Sequence, residues 1–368
     1  MLETPSDRFA EWLSLPALRA SSDPRFEVKQ ASQQDFERVF ACVDESFGRS
    51  RPPALFDWLY RKNPYGLARA WYVEEKATGR ILKSSANFPW PVYYGKTPRD
   101  GFFGGDSGTV PDWQRKGLTK IERGVKRTHP WDGERVQMGA PNHATLAVQK
   151  SEGRESSVRG MIPGGVVPLR GGALLQRASV PRLLANPLGT IVSGAVRLWQ
   201  NVALDSARAL RLEPLDAFSQ DLNAVTWETT EFPHYWCPHN AEWLNWRYLN
   251  HPSETYSAFV LLDAVDDRPL GYSVLRFSGD NAALAEFAAG QDTAPSLLLH
   301  TLSVARSAGC SSLATFHPAS WRHWPLFRRA GFLPYQTNHF FAGVDKQNEE
   351  LSFDFNAWQI TPGDRDVH

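Results

Sequence analysis

Asp-Ser-Gly-Thr-Val-Pro-Asp-Trp-Gln-Arg-Lys-Gly-Leu-Thr, residues 106–119, is the stretch that decides the fold of this 368-residue chain. It leads from an apolar strand through a basic, glycine-containing turn into a helix that the pattern predicts over residues 120–126. A turn of this kind directs consecutive backbone N–H groups at one point, at the positive end of the helix dipole. Arg115, Lys116 and Lys120 add mobile positive charge there. The stretch therefore predicts a binding site for a phosphorylated ligand.

The spacing of the glycines excludes two common phosphate-binding loops. No Gly-x-x-x-x-Gly-Lys-Ser/Thr is present, so the turn is not a Walker A loop. Gly104, Gly105 and Gly117 do not form the Gly-x-Gly-x-x-Gly of dinucleotide-binding folds. Gln114, Gly117 and Thr119 instead resemble Gln/Arg-x-x-Gly-x-Gly/Ala, the signature of the GNAT superfamily of N-acetyltransferases. Thr119 departs from the Gly or Ala that is usual at the third position.

This resemblance implies an acyl-CoA co-substrate, acetyl-CoA or another acyl-CoA. In the family, pantetheine pairs with the fourth strand, and the backbone amides of the turn hold the pyrophosphate. The resemblance also implies that an Asn at the end of the fifth strand lies near the pantetheine arm. The residues implied to bind the cofactor are Gly108, Thr109, Val110, Gln114, Arg115, Lys116, Gly117, Leu118, Thr119 and Asn142.

Three side chains are candidates for the catalytic proton transfers that acyl transfer to an amine requires. Asp106 lies near the point where the fourth and fifth strands separate in the family, and it is the candidate to accept the ammonium proton. Tyr94 is the candidate donor to the thiolate, because the helix after Asn142 lacks the Tyr that the family often places there. His143 is a second candidate base. For Asp106 a turn-capping role or a pairing with Arg115 stays open, as does a core position for Tyr94 and a plain helix start for His143.

Composition limits the partners and the compartment. Forty Lys plus Arg and forty Asp plus Glu give no net charge, so bulk electrostatics support neither a membrane partner nor DNA. Cys42, Cys237 and Cys310 have no paired spacing, and the first eleven residues lack a signal peptide, so we expect a reduced, cytoplasmic protein. His234, Cys237 and His239 have no second cluster at metal-ligand spacing, so no metal is expected.

The element order occurs twice along the chain. Residues 54–64 and residues 240–252 are both Trp-containing amphipathic segments that end in polar residues before a proline, and strands follow both. The second copy has no equivalent of the basic turn between Ala289 and Leu299, where Asp292 would repel a pyrophosphate. The resemblance thus implies an α/β (α+β) protein of two tandem GNAT folds, each with a mixed, mostly antiparallel central sheet flanked by helices.

The predicted organisation has four parts. Residues 1–25 are an N-terminal extension, and residues 26–175 are a GNAT domain that holds the acyl-CoA site. Residues 176–225 are a helical connecting segment. It contains an apolar stretch, residues 180–212, that we interpret as helix. Residues 226–368 are a GNAT-like domain without the cofactor turn, whose Glu286, His317 and Trp321 lie at strand ends and are candidates to face a shared cleft.

We therefore expect an N-acyltransferase that moves an acyl group from CoA to a small-molecule amine by direct attack. The acyl group that we expect is acetyl. One alternative keeps the fold but takes the acyl or aminoacyl group from a carrier protein or tRNA. Its basis is the basic series Lys116, Lys120, Arg123, Lys126 and Arg127. A second alternative is a non-catalytic binding module, favoured by the missing helix Tyr and by Thr119.

Overall fold

The computed structural model describes residues 23–127, 135–140, 157–172, 182–204, 209–229, 235–344 and 355–364. The strands are β1 (Phe26–Gln30), β2 (Arg69–Glu75), β3 (Ile81–Pro89), β4 (Val92–Tyr94), β5 (Thr97–Thr109), β6 (Arg135–Gly139), β7 (Ser157–Pro168), β8 (Leu210–Leu215), β9 (Tyr235–Trp236), β10 (Tyr256–Asp263), β11 (Pro269–Ser278), β12 (Asn281–Ala289), β13 (Ser312–Phe316), β14 (Leu333–Val344) and β15 (Trp358–Gln359). The helices are α1 (Phe36–Phe47), α2 (Pro53–Tyr60), α3 (Leu118–Arg127), α4 (Arg182–Ala203), α5 (Leu222–Thr229), α6 (Ala241–Leu244, continued by a π-helical turn over Asn245–Leu249), α7 (Ala294–Ser307) and α8 (Trp324–Arg329).

Twelve strands form one continuous sheet, and their order has the same plan when it is followed from either end. The order is β1, β2, β3, β5, β6, β14, β7, β13, β12, β11, β10 and β8. Neighbouring strands are antiparallel except for two equivalent pairs, β5 with β6 and β12 with β13. Helices flank both halves. The predicted mixed, mostly antiparallel sheets are therefore confirmed.

The two middle strands exchange halves. β14, from the end of the chain, lies between β6 and β7, while β7 pairs with β14 on one edge and with β13 on the other. Each half of the sheet is thus completed by a strand of the other half. The sequence analysis did not predict this exchange. It also interpreted residues 180–212 as helix throughout, which is wrong at the end, because Leu210–Leu215 is the edge strand β8. The predicted domain boundaries stay a prediction.

Two tryptophans join the halves across this pseudo-symmetric arrangement. Trp58 precedes Pro64 by six residues, as Trp246 precedes Pro252, so the two occupy the same place in the repeated segments. Their rings stack with centroids 4.4 Å apart and an interplanar angle of 13°. Each indole N–H donates to the backbone carbonyl of the other residue, at 2.9 and 3.1 Å. The repeated segments therefore pack against each other.

A buried ionic cluster fixes α3 on the first half of the sheet. Glu122 of α3 lies 3.1 Å from the Lys83 ammonium of β3 and accepts a hydrogen bond from Ser85. Lys126 lies 3.7 Å from Glu122 and 4.0 Å from the centre of the Trp71 ring. Burial alone would raise the pKa of Glu122, but Lys83 and Lys126 lower it to about 2. The start of α3 is therefore held rigidly.

The described residues also bear on membrane spanning, metal binding and disulfide formation. No helix there is long and apolar enough to cross a membrane. No group of three His, Cys, Asp or Glu side chains there could hold a metal ion. Cys42, Cys237 and Cys310 are all buried and free.

Candidate functional site

The turn between β5 and α3 has the backbone that the sequence predicts for an anion site. Pro111–Trp113 forms a single 3₁₀ turn, after which the Gln114 side-chain amide donates to the Thr109 carbonyl at 3.3 Å. Arg115 and Gly117 then adopt left-handed conformations, with φ of +64° and +85°. A Cβ added to Gly117 would meet no atom within 4 Å, so the space in front of the turn is open. The turn leads directly into α3.

Several backbone N–H groups face that space without a partner. Among the described residues, the structure gives no hydrogen-bond acceptor to the N–H groups of Gly117, Leu118 and Thr119. The next two, of Lys120 and Ile121, donate to the Gly117 carbonyl at 3.0 and 3.3 Å. The Leu118 side chain is buried and anchors the helix end. Three consecutive donors at the positive end of a helix form an arrangement that binds phosphate.

The side chains around the turn leave positive charge available. Arg115, Lys116 and Lys120 are exposed, and in the part of the chain that the structure describes none of them forms an ion pair. Lys116 lies 4.7 Å from the centre of the Trp113 ring. The nearby carboxylate of Asp112 is bound by Arg80, at 2.9 Å. These three cations are therefore free to attract an anionic ligand.

A gap in the sheet leads away from the turn. β5 and β6 pair only from Asp100 to Phe103, and beyond this point they separate, beginning at Gly104 and Gly139. β5 continues to Thr109, still paired with β3 on its other edge. Among the described residues, no second strand pairs with the gap-facing edge of β5 from Gly104 to Thr109, roughly 20 Å of strand. An extended ligand can pair with its backbone there.

Asp106 marks the bulge in this strand. The register of β3 and β5 shifts at the bulge, and Asp106 has a φ of +47°. Its buried carboxylate receives hydrogen bonds from Arg51 at 3.1 Å and from the Tyr60 hydroxyl at 2.8 Å. Both oxygens are engaged. This geometry favours a role in holding the bulge in place over the predicted acceptance of a proton, and the pairing partner is Arg51 rather than Arg115.

The second half repeats this arrangement around Glu286. The β12 strand has its bulge at the same place, between its pairings with Val274 and Leu275. The Glu286 carboxylate is 2.9 Å from the Tyr248 hydroxyl and 3.1 Å from His239 Nδ1. Tyr248 precedes Pro252 by four residues, as Tyr60 precedes Pro64. A basic side chain, a tyrosine and a bulge carboxylate therefore recur in both halves.

An open pocket lies beside Glu286, where β12 and β13 separate. Its wall includes His317 and Trp321, so these three side chains line one pocket of the second half, while a cleft shared with the first half stays a prediction. The remaining lining comes from β9, from α5 and from the C-terminal segment, and includes Thr226, Trp236, Cys237, Tyr272, Phe287, Trp358, Thr361 and Asp364. The pocket thus combines aromatic walls with a few buried polar groups, as ligand sites commonly do.

Two histidines of the pocket have opposite electrostatics. Burial alone would lower the pKa of His239, but Asp364 at 2.9 Å and Glu286 raise it to about 10, so this ring is a cation. Burial holds the pKa of His317 well below its usual range, so its ring is neutral. His317 stacks on Trp321 with centroids 3.5 Å apart. Its Nδ1 is buried and, among the described residues, has no hydrogen-bond partner.

The pocket reaches the first half through the C-terminal segment. Asp364 accepts a hydrogen bond from the Trp90 indole at 3.1 Å. The backbone N–H of Trp90 donates to the carbonyl of Gly101 in β5. Cys237, also in the pocket wall, lies 3.9 Å from Met138 of β6. The start of the gap between β5 and β6 and the pocket are therefore close neighbours.

Comparison with known proteins shows what this architecture resembles. No family model matches the sequence, and a search of curated proteins gives no match. A probable N-acyltransferase from Enterococcus faecalis, described as a conserved protein of unknown function, superposes with a TM-score of 0.59 at 11% identity over 86% of this chain and 72% of its own. A GCN5-related N-acetyltransferase from Anabaena variabilis gives 0.58 at 12% identity, with the same coverage of both chains. The fold is the GNAT fold.

A longer match includes almost the whole chain. The Saccharomyces cerevisiae N-myristoyltransferase, in a structure with bound myristoyl-CoA, has a TM-score of 0.50 at 11% identity and covers 98% of this chain and 92% of its own. At such identities the likeness establishes the GNAT fold alone. Structural neighbours of this chain are thus GCN5-related N-acetyltransferases and N-myristoyltransferases.

The second half of the GNAT fold has a closed turn where the first half has an open one. The N–H groups of Thr293 and Ala294 both donate to the Gly290 carbonyl, at 3.2 and 2.8 Å. Pro295 follows and has no N–H. The Arg322 side chain donates to the Ala289 carbonyl at the end of the gap-facing strand. Two N–H groups at this helix start are thus already bonded, and Pro295 supplies none.

The remaining predicted residues have different outcomes. Tyr94 lies at the start of β5, where β4 pairs with residues 97–99, whereas the turn follows the other end of that strand. Its ring packs on Tyr235 at 4.8 Å. Asn142 and His143 lie outside the described residues. Sequence reasoning missed the role of His239, although its place two residues before α6, like that of Arg51 before α2, is a usable signal.

Proposed function

We propose that this protein is an acyl-CoA-dependent N-acyltransferase that binds its donor at the turn of the first half and an amine in the pocket of the second. The observation that carries the proposal is the set of three unpartnered N–H groups of Gly117, Leu118 and Thr119, surrounded by three cations without ion pairs. A pyrophosphate matches such a site in charge and in hydrogen-bonding capacity. Acyl transferases among the structural neighbours support the reaction class.

The edge of β5 that faces the gap, where β6 no longer pairs with it, supports the rest of the donor site. A pantetheine arm carries amide groups along an extended chain, so it can pair with a strand edge. From the turn, the pantetheine arm would run along residues 109 to 104 and pass the bulge at Asp106. Gly108, Thr109 and Val110 line this path, and Asn142 remains a predicted contact. The thioester would then lie near the start of the gap, next to the pocket.

The pocket supplies what the amine needs. Direct attack forms the C–N bond, breaks the C–S bond and requires that the ammonium lose a proton first. In this proposal Glu286 attracts the ammonium, since its Oε1 has no hydrogen-bond partner in the described part of the chain. The neutral ring of His317 accepts this first proton, and the second proton, which the attacking nitrogen loses as the amide forms, passes to the departing CoA thiolate. Asp106 holds the bulge, and Tyr94 stays a prediction for the acid that donates to the thiolate.

Calorimetry with acetyl-CoA and with CoA tests the donor site. Gly117→Ala adds a methyl group in front of the open N–H groups and forces alanine into a left-handed conformation. We expect at least about tenfold weaker binding. Gly279→Ala is the matched control, because Gly279 also has a positive φ of +57° and open space around its Cβ position, but lies on a hairpin of the second half. Equal binding by wild type and both variants would refute the proposed donor site.

Binding measurements on the same protein distinguish acyl-CoA from the alternative donors, tRNA and an acyl carrier protein. Of the five basic residues that suggested tRNA or carrier-protein docking, Lys126 is packed between Trp71 and Glu122 and is only 22% exposed. This packing weakens the alternative. Salt-sensitive binding of tRNA or of an acyl carrier protein, with no binding of acetyl-CoA, would support it instead. Binding of acetyl-CoA with no transfer to any amine in a screen would support the non-catalytic module.

A further inference from the structure

The longest helix in the described part of the chain, α4, presents an apolar face to solvent. Ten large apolar side chains are exposed among the described residues, and half of them belong to α4. They are Leu188, Ile191, Leu198, Trp199 and Val202, with exposed fractions between 46% and 73%. Their spacing places them, with Ala195, within about a third of the helix circumference. The opposite face, which includes Gly189 and Gln200, packs on the protein.

The apolar face extends beyond the helix. Trp199 lies against the turn at Gly331, where an added Cβ would come within 3.1 Å of the indole. Leu333 begins β14 two residues later and is exposed, as is Tyr335. Monomeric proteins seldom expose a connected apolar surface of this extent unless it binds something. We call α4 with residues 331–335 the α4 face.

Arginines are concentrated in the sequence around the α4 face. Residues 156–204 contain five arginines and no Asp or Glu, although the whole chain has no net charge. Arg197 of α4 is exposed on the other side of the helix from the apolar residues, where it acts on Arg306. Arg328 and Arg329 of α8 are exposed just before the turn at Gly331, which Trp199 contacts. Glu155 and Asp205 adjoin this segment in the sequence, and Asp280 acts together with Arg170 on Cys310. The zero net charge of the chain therefore hides a cationic region.

We propose that the α4 face docks on an anionic lipid surface. A helix with exposed Trp, Leu and Ile on one side and no acidic residue of its own, next to the exposed Arg328 and Arg329, has features that bind in the membrane interface. A second copy of this chain complements the face poorly, because a two-fold contact would place its arginines against the same arginines. The inference is independent of the proposed acyl transfer.

Flotation of the full chain with lipid vesicles tests the proposal. We expect the protein to float with vesicles that contain about 30% phosphatidylglycerol in phosphatidylcholine, and not with phosphatidylcholine alone. Ile191→Glu combined with Leu198→Glu should reduce the bound fraction at least about tenfold, and Arg328→Gln should reduce the partition coefficient about fivefold. Both glutamates replace exposed side chains, so folding is preserved, which circular dichroism checks.

Val265→Glu is the matched control. Val265 is 89% exposed, but it lies in the turn between β10 and β11, away from the α4 face. This variant should bind vesicles as the wild type does. Absence of the wild type from the anionic vesicle fraction would overturn the proposal, as would equal flotation of the double glutamate variant. A dimer in sedimentation velocity that the double variant abolishes, without vesicle binding, would identify a second copy as the occupant instead.

Discussion

Replacement of the paired tryptophans by phenylalanine should reveal how strongly the two halves are joined. Trp58 and Trp246 are both buried, and each donates one indole hydrogen bond to the backbone of the other. Phenylalanine keeps an aromatic ring in the stack but removes the donor and leaves a buried carbonyl with one partner fewer. Each single substitution should therefore lower the free energy of unfolding by about 1–3 kcal/mol. The two hydrogen bonds use different atoms, so these losses should add.

The double variant measures the part that does not add. Only the stacking is shared, and a stacked aromatic pair contributes about 0.5–1.5 kcal/mol beyond its buried area. We thus expect a total loss of about 2–6 kcal/mol with a coupling energy of no more than about 1.5 kcal/mol. Urea unfolding followed by circular dichroism gives these values. Because the pair connects the repeated segments, the wild type should unfold in one transition and the double variant should begin to separate into two.

Trp199→Phe serves as the control, since Trp199 is 46% exposed, and its cost should stay within about 0.5 kcal/mol. Losses below that value in both buried variants would refute the reasoning. A coupling energy above 3 kcal/mol would do so as well, because it would mean that the two hydrogen bonds depend on each other.

Three further predictions concern buried ionisable groups. Glu122→Gln should lower the free energy of unfolding by about 3 kcal/mol near pH 7, because the pKa of Glu122 is lowered to about 2. The resulting stabilisation is complete above about pH 4.5 and is lost as the pH falls towards 2. In urea titrations, the unfolding free energies of the two proteins should therefore converge at about pH 3 relative to about pH 7. Tyr248→Phe and Tyr60→Phe each remove a hydrogen bond to a buried carboxylate, and each should lower the unfolding free energy by about 1.5–3 kcal/mol in thermal or urea unfolding. Burial and Arg322 lower the pKa of His323 to about 3, so stability should fall by up to about 1.4 kcal/mol per pH unit as the pH drops below about 6.5, and His323→Gln should remove that slope.

Local elements were predictable from the sequence, because their signals are local. Ser32 and Asp35 form the capping box before α1, and Phe36, Val39 and Phe40 behind it are buried, as their helical spacing predicts. The turn at residues 114–119 has the predicted exposed cations and open amides. The repeated Trp-containing segments were also found, since each is complete within about a dozen residues.

Long-range pairings could not be predicted in the same way. β7 is glycine- and proline-rich and gives no regular alternation, and its partner β14 lies about 170 residues later in the chain. The engagement of Asp106 depends on Arg51 and Tyr60, which lie 55 and 46 residues away in sequence. A single sequence does not say which carboxylate meets which base. The pocket likewise requires the C-terminal segment to return to the middle of the sheet.

The exchange of β7 and β14 also sets the order of events during synthesis. β6 and β7 are complete once residue 168 has been made, but the strand that fills the space between them ends at residue 344. At 5–20 residues per second, the ribosome needs roughly 9–35 s to make the intervening 176 residues. Throughout that time two strand edges wait unpaired in a nascent chain, and such edges invite pairing with other chains. Crowded polysomes that carry this message should therefore depend on chaperones more than those of a protein with two self-contained sheets.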